Sequence, residues 1–372
     1  MRIGVPTEIK KQEYRVGLTP IQVAELTNLN HRCCVQAGAG EAIGFNDDDY
    51  QAKGAVIVKT AEEIYADAEL VVKVKEPQPD ECKLMRPQQC VFGYYHLAAE
   101  IELAKALQQT QAICIAYETV TDNQGRLPLL APMSEVAGRM SVQAGIAQMT
   151  NPQGGPGMLL GGVPGVAPAK VVIIGGGVVG TQAARMAVGL GGDVTILDRN
   201  IQRLRELDME FMGRVTTLTA NASMIEHCVV DADLVIGAVL ISGASAPKVL
   251  TRDNLKQMKN GAVVVDVAID QGGCFETSKP TTHANPTYVV DGVIHYCVAN
   301  IPGAVARTST QALTNATFPF VLELANQGIY TALRNNTNLR NGLNVCQGQL
   351  THPVVAQSLG LPYRDPLSML NA

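Results

Sequence analysis

The sequence predicts an α/β protein of two domains, each a doubly wound, mostly parallel sheet covered by helices. Three observations carry this. Short apolar runs alternate with helical patterns along most of the chain, which is the rhythm of βαβ units. The core material is aliphatic: hydrophobic residues make up 47% of the 372 residues, aromatic residues only 4%, and there is no Trp. Strands buried on both faces by helices draw on that vocabulary. The 35 glycines exceed the usual share, and the length suits two to three domains at about 150 residues each.

Taken in order, the first series of strands is expected over 2–6, 33–37, 55–59, 70–75, 91–95 and 113–118. Between the first two, Thr19-Pro20-Ile21-Gln22 predicts a helix start, with an N-cap, a proline at the first helical position and a capping-box Gln. At Pro132-Met133-Ser134 the character changes: Ser134 reads as an N-cap and 135–149 as one helix. A Gly/Pro-rich loop follows over 152–168. A second series of strands is expected over 170–175, 193–198, 214–219, 234–239, 262–268 and 288–298. Residues 309–327 read as a helix stopped by Gly328 and kinked at Pro319. The tail 329–372 holds one more helical stretch and is expected to pack back on the first domain. The division is therefore 1–128 together with 309–372, and 129–308.

Composition narrows the function. The net charge is −5, which argues against nucleic acid as the main partner. No run of about 20 consecutive apolar residues predicts a membrane span, and the first residues lack the apolar core of a signal peptide. Nine scattered cysteines form no C-x-x-C, and the histidines show no ligand spacing, so no metal is expected. This composition suits a cytoplasmic protein with reduced, buried thiols.

The strongest motif is Lys170-Val-Val-Ile-Ile-Gly175-Gly-Gly177-Val-Val-Gly180. A β-run leads into G-x-G-x-x-G, a helix follows, and Asp198 ends the next strand 23 residues after Gly175. Gly175 makes the tight turn, Gly177 lets the backbone approach a pyrophosphate, and Gly180 lets helix and strand pack closely. The helix N-terminus, opening with Val178 and Val179, offers free N–H groups to that pyrophosphate. Asp198 is placed to accept the ribose hydroxyls and to repel a 2′-phosphate, which favours NAD over NADP. Arg199, next in the chain, is the one neighbour that could tolerate such a phosphate.

Other candidate sites fall at strand ends, where ligands sit in open α/β sheets. In the second domain these are Gly237-Ala-Val239-Leu240 at the end of one strand, and Val267-Ala268-Ile269-Asp270 at the end of the next. From position alone Asp270 is equally well a solvated loop carboxylate. In the first domain they are Arg15, Lys75, His96 and Glu118. An Arg or Lys taken singly is more often an ordinary surface charge. His96 stands out because an imidazole at the end of an apolar strand is the side chain best suited to take and return a proton.

These residues together resemble the alanine dehydrogenase family, across essentially the whole chain. The resemblance is carried by Arg2-Ile-Gly-Val-Pro-Thr-Glu-Ile-Lys10, Glu13-Tyr-Arg-Val-Gly-Leu-Thr-Pro20 and Val72-Lys-Val-Lys-Glu-Pro77. Leu130-Ala-Pro-Met-Ser-Glu135, Leu159-Leu-Gly-Gly-Val-Pro-Gly165 and Ala299-Asn-Ile-Pro-Gly303 extend it. It implies two Rossmann-like domains joined by long helices, with the site in the cleft between them, in a homo-oligomer that is usually a hexamer. It implies NAD as cofactor, and L-alanine, pyruvate and ammonium as the small-molecule partners. By resemblance Arg15 and Lys75 bind the substrate, His96 is the acid/base group and Asp270 the second catalytic residue. Ser134, Asp198, Arg203, Val239, Leu240, Val267, Ala268, Ile269, Asp270, Val298 and Asn300 fall at its NAD contacts. Ala220 and Ile301 do too, but depart from the Ser and Met of some members, as Pro156 departs from a basic residue in the Gly-rich loop. Two alternatives stand beside this reading: the nucleotide-binding component of a proton-translocating transhydrogenase, and an inactive NAD-sensing scaffold.

Overall fold

The computed structural model describes residues 1–239 and 246–371. It divides into two compact units, Met1–Met133 with Val305–Ala372, and Ser134–Ala304. The first unit holds β1 (Arg2–Val5), β2 (Arg32–Gln36), β3 (Val56–Val58), β4 (Leu70–Val72), β5 (Cys90–Gly93) and β6 (Ile113–Ala116). The second holds β7 (Lys170–Ile174), β8 (Asp193–Asp198), β9 (Thr216–Thr219), β10 (Leu234–Gly237), β11 (Val263–Asp266), β12 (Thr287–Val290) and β13 (Val293–Tyr296). Near the C-terminus β14 (Leu343–Cys346) and β15 (Gln349–Leu350) return to the first sheet.

The first sheet runs in the order β15-β14-β6-β5-β4-β1-β2-β3, the second in the order β12-β13-β11-β10-β7-β8-β9. All pairings are parallel except β6–β14, β14–β15 and β12–β13. In both sheets the order of strand addition thus reverses beside the first strand, between β1 and β4 and between β7 and β10. Those switch points open a crevice at the carboxyl ends of the strands, because the crossover helices leave to opposite faces there. The central strands β4, β5, β6, β10 and β11 are buried along their whole length. In the second unit their side chains alternate between two cores: Leu234 and Ile236 pack on one face, Val235 and Val264 on the other.

Three sequence expectations change, while the helix holding Pro319 and its stop at Gly328 stand as expected. The strand expected over 288–298 is a hairpin, since Asp291 and Gly292 both take positive φ and turn the chain between β12 and β13. The tail supplies two strands, with β14 pairing antiparallel to β6. The helix expected to start at Ser134 runs from Ala131 to Gln148 and already contains Ser134, so Ser134 is not its N-cap. Pro132 sits in its first turn, where a missing N–H costs nothing. The helix Ala306–Gln327 continues through Pro319 and stops at Gly328, which takes φ +82°. At the N-terminal helix, Pro20–Asn28, the Gln22 side chain accepts from the Thr19 N–H, as a capping box requires, and also from the Thr19 hydroxyl.

Among the described residues no helix is long and apolar enough to cross a membrane. All nine cysteines are free, and eight are buried.

Candidate active site

In the first unit the polar groups gather around the switch between β1 and β4. Arg15 follows β1 and is only 2% exposed. Its Nε and Nη2 donate to the two carboxylate oxygens of Glu13 at 2.7 and 2.6 Å, and Nη1 lies 3.1 Å from Met133 Sδ. That fork holds the guanidinium rigidly, as two parallel charge-assisted bonds do. Burial alone would raise the Glu13 carboxyl, but the bonds and charge of Arg15, with the charge of Lys75, hold it below the usual carboxylate range. The resemblance makes Arg15 a substrate-binding residue; the structure shows its Nε–Nη2 edge engaged by Glu13.

Lys75 lies past the end of β4 and is half-buried. Among the described residues its ammonium makes no salt bridge within 4.0 Å. Burial, then the charges of Arg15 and Lys10, depress its pKa below the ordinary 10.5, with Glu76 and Glu13 pulling the other way. The ammonium thus lies half-buried in the field of a second cation, Arg15.

Beneath Lys75 runs a buried charge network that sequence reasoning missed. Lys73 is fully buried and bridges Glu8 at 3.2 Å and Glu81 at 2.7 Å. Glu8 also accepts from the backbone N–H of Val74 at 2.6 Å and of Lys75 at 3.3 Å. Glu81 takes the Tyr65 hydroxyl at 3.3 Å. The available signal was Lys73 itself, set between Val72 and Val74 in a run buried on both faces, where a lysine survives only when paired.

His96 follows β5 and takes left-handed φ 51° and ψ 36°. Two successive N–H groups, of Tyr95 and His96, donate to Glu118, the His96 bond being 2.6 Å. Successive amides in such a turn form a concave anion site, here filled by the carboxylate. Glu118 is thus bound to the backbone that carries the imidazole. The His96 ring stacks on Tyr94 with centroids 5.7 Å apart and planes within 9°. The Tyr94 hydroxyl donates to the Leu129 carbonyl at 2.6 Å. Arg15 and Lys75 are therefore brought together, and His96 is anchored on the adjoining strand end through Tyr94 and Glu118.

In the second unit the glycine motif lies between the end of β7 and the helix Val178–Gly189. Gly175 takes φ +105°, and a Cβ there would lie 2.5 Å from the Ala238 carbonyl oxygen. A Cβ at Gly180 would lie 1.8 Å from the Gly175 carbonyl oxygen. At Gly177 a Cβ meets nothing within 4 Å among the described residues, so no contact with them accounts for its lack of a side chain. Asp198, half-buried at the end of β8, accepts from the Gly176 N–H at 2.7 Å and the Asn200 N–H at 2.8 Å. Arg203 donates through Nε to the Gly176 carbonyl at 2.7 Å and through Nη2 to Thr181 at 2.8 Å. The turn is thus clamped from the side, with a helix N-terminus open at Gly177. These residues fit a dinucleotide, whose pyrophosphate needs that open cradle.

The remaining positions of the same unit lie along the strand ends. Ala220 donates its N–H to the Asp198 carbonyl at 2.9 Å. Val239 follows β10, and Leu240 lies outside the described residues. Val267 donates its N–H to the Gly237 carbonyl, and Ala268 and Ile269 are buried. Val298 is buried, Asn300 takes φ +64° and Ile301 opens a short 3-10 turn. Asp270 is exposed on a 3-10 turn after β11. Asp266, overlooked in the sequence, is the buried hub of this loop and accepts from the N–H groups of Ala268, Cys274 and Phe275. Among the described residues no group of three or more His, Cys, Asp or Glu could hold a metal.

Comparison with known proteins adds the following. Residues 4–137 match the family model "Alanine dehydrogenase/PNT, N-terminal domain", and residues 141–353 match "Alanine dehydrogenase/PNT, C-terminal domain". The chain is 58% identical over 370 residues to an alanine dehydrogenase of Halomonas elongata, covering 100% of both. It is 54% identical to that of Bacillus subtilis, covering 98% of this chain and 96% of the relative. A solved L-alanine dehydrogenase superposes with TM-score 0.94 at 52% identity, over 97% of this chain and 99% of that one. A transhydrogenase from Sinorhizobium meliloti superposes with TM-score 0.81 at 22% identity, over 95% and 99%, which shows a shared fold.

Proposed function

The chain belongs to the alanine dehydrogenase/PNT family, and from that premise we propose that it catalyses the reversible NAD-dependent oxidative deamination of L-alanine to pyruvate and ammonia. The transhydrogenase alternative draws on likeness of fold alone. For the substrate class, the observation that carries the reading is Lys75, a half-buried ammonium that makes no salt bridge among the described residues and lies beside the Arg15–Glu13 pair. A small carboxylate answers that charge.

A nicotinamide dinucleotide bound here would supply the acceptor for the hydride that leaves the substrate Cα. The glycines at 175, 177 and 180, the N-terminal turn at Val178 and Val179, Asp198 and Arg203 would hold the dinucleotide. Ser134, Ala220, Val239, Leu240, Val267, Ala268, Ile269, Asp270, Val298, Asn300 and Ile301 are assigned as further contacts by family position. Asp198, with one N–H on each oxygen, keeps acceptor capacity for ribose hydroxyls, and its charge favours NAD.

Arg15 and Lys75 bind the substrate carboxylate and carbonyl side, and Lys75 stabilises charge on oxygen as the carbinolamine forms and collapses. Hydrolysis of the imine requires a base for water. His96 takes that proton and returns it, which is worth roughly 10²–10⁴ in rate. Asp270 orients the water or the amine. We assign the enzyme to the cytoplasm as a homo-hexamer on the family resemblance.

The test is NADH formation from L-alanine at alkaline pH and NADH consumption with pyruvate and ammonium. Absence of turnover in both directions would sink the proposal. The His96→Ala and Asp270→Ala variants should lose most activity while still binding NADH.

A further inference from the structure

The loop that carries Asp270 is gripped from two sides. Five consecutive carbonyl oxygens, from Gln271 to Phe275, accept hydrogen bonds from residues 246–249. The Ala246 N–H donates to Gln271 at 3.0 Å, and the Val249 N–H donates to Cys274 at 2.8 Å. Lys248 Nζ donates to Gly272 at 2.7 Å, to Gly273 at 2.8 Å and to Phe275 at 3.1 Å. An ammonium has three protons, and each here is matched by a carbonyl. On the opposite side Asp266 binds the N–H groups of Ala268, Cys274 and Phe275.

The backbone of the loop is shaped for this grip. Gly272 and Gly273 take φ +86° and +74° in succession, and a Cβ at Gly273 would lie 2.7 Å from Asp266 Oδ2. Lys248 is a surface residue, yet its charged end is turned onto three carbonyls. Converging carbonyl dipoles repel one another unless a cation sits among them. Without the ammonium, the turn that aims Asp270 loses three of its five carbonyl contacts with this segment.

We propose that Lys248 is a positioning residue for Asp270, acting through the loop 271–275. The inference rests on the catalytic role proposed for Asp270. It differs from a general stabilising role because it predicts coupling to Asp270 alone. It also gives residues 246–249, which follow the assigned nucleotide contacts Val239 and Leu240 in the chain, a mechanical part in the reaction.

The test is a double-mutant cycle on the full-length enzyme: Lys248→Met, Asp270→Asn and the pair, with enzyme concentrated enough to read residual NADH consumption. In the parent background Lys248→Met should lower kcat about tenfold, as a displaced catalytic group does, with the NADH Kd within about threefold. In the Asp270→Asn background the same change should alter kcat by less than about twofold. Lys248→Arg should restore part of the rate. Equal losses in both backgrounds, or parental kcat in Lys248→Met, would overturn the proposal. If Asp270→Asn itself keeps parental kcat, the role of Asp270 fails first. If that variant is impaired while Lys248→Met is not, only the role of Lys248 fails.

Discussion

Replacing Gly177 and Gly180 by Ala, one at a time, separates the demand of the nucleotide from the demand of the fold. At Gly180 the added Cβ would lie 1.8 Å from the Gly175 carbonyl, against the 3.0 Å that real Cβ atoms keep, so helix and turn must part by 3.0 − 1.8 = 1.2 Å. Overpacking of that kind costs about 3 kcal/mol, or a fall of roughly 6–12 °C in Tm. At Gly177 the Cβ meets nothing within 4 Å among the described residues, and φ is −68°, which any residue adopts. The cost to the fold is then about 1 kcal/mol, a less favourable N-cap, or roughly 2–4 °C. For binding the order changes, because the Gly177 Cβ stands where the pyrophosphate must approach. We expect NADH affinity in Gly177→Ala to fall by about tenfold or more, equivalent to about 1.4 kcal/mol. Thermal melts and NADH fluorescence titrations on both variants measure the two effects. A Gly177→Ala protein that binds NADH as the parent does would refute the assignment of this turn, whatever its Tm.

Three further outcomes follow from the same geometry. Binding of a non-reacting 2-oxo acid analogue such as oxamate to the NADH complex should be full while Lys75 is protonated. It should weaken as pH rises, beginning below the ordinary lysine value of 10.5 because burial and Arg15 depress this group; affinity flat to that pH would remove Lys75 from the site. Asp198→Ala should lower the NAD-to-NADP ratio of kcat/KM by about tenfold or more, since it deletes the charge facing a 2′-phosphate; an unchanged ratio would reassign coenzyme choice. Lys73→Met leaves Glu8 and Glu81 buried without their cation, which should cost about 3–5 kcal/mol. That loss should shrink as pH falls, because burial already raises the Glu8 pKa and protonation removes the unpaired charge. A Tm within about 2 °C of the parent at neutral pH would show that the network is not what holds β4.

Much of the fold was legible because its signals are local. The central strands read as continuous apolar runs since both faces are covered, and the capping box at Thr19 and Gln22 sits within four residues. Of the misses, one carried a local signal: Asp291-Gly292, inside the apolar run 288–298, is the dipeptide of a tight hairpin turn, and it was outweighed by a run of Val and Ile that suits one long strand. The pairing of β14 with β6 joins segments more than 200 residues apart, and a four-residue strand carries too little pattern to announce it. Ser134 looked like a cap since serine favours that role, but Pro132 had already opened the helix.

The candidate site divides in the same way. Residue type and position at strand ends were enough to single out Gly175, Gly177, Gly180, Asp198, Arg15, Lys75, His96 and Asp270, because these chemistries follow from side chains and from the geometry of any doubly wound sheet. What holds those groups in place is tertiary. Glu13 grips Arg15, Glu8 ties the backbone of Lys75 to the buried Lys73, Glu118 fastens the turn at His96, and Asp266 with Lys248 frames the loop of Asp270. Each is a charge matched to backbone groups or to an opposite charge, and a sequence does not display such partners. Burial makes the match compulsory, since an unpaired charge inside the protein is too costly to keep. The sequence by itself therefore determined which chemistries the chain carries, and only the tertiary structure decided which of its charges are fixed partners and which, like Lys75, carry no salt bridge among the described residues.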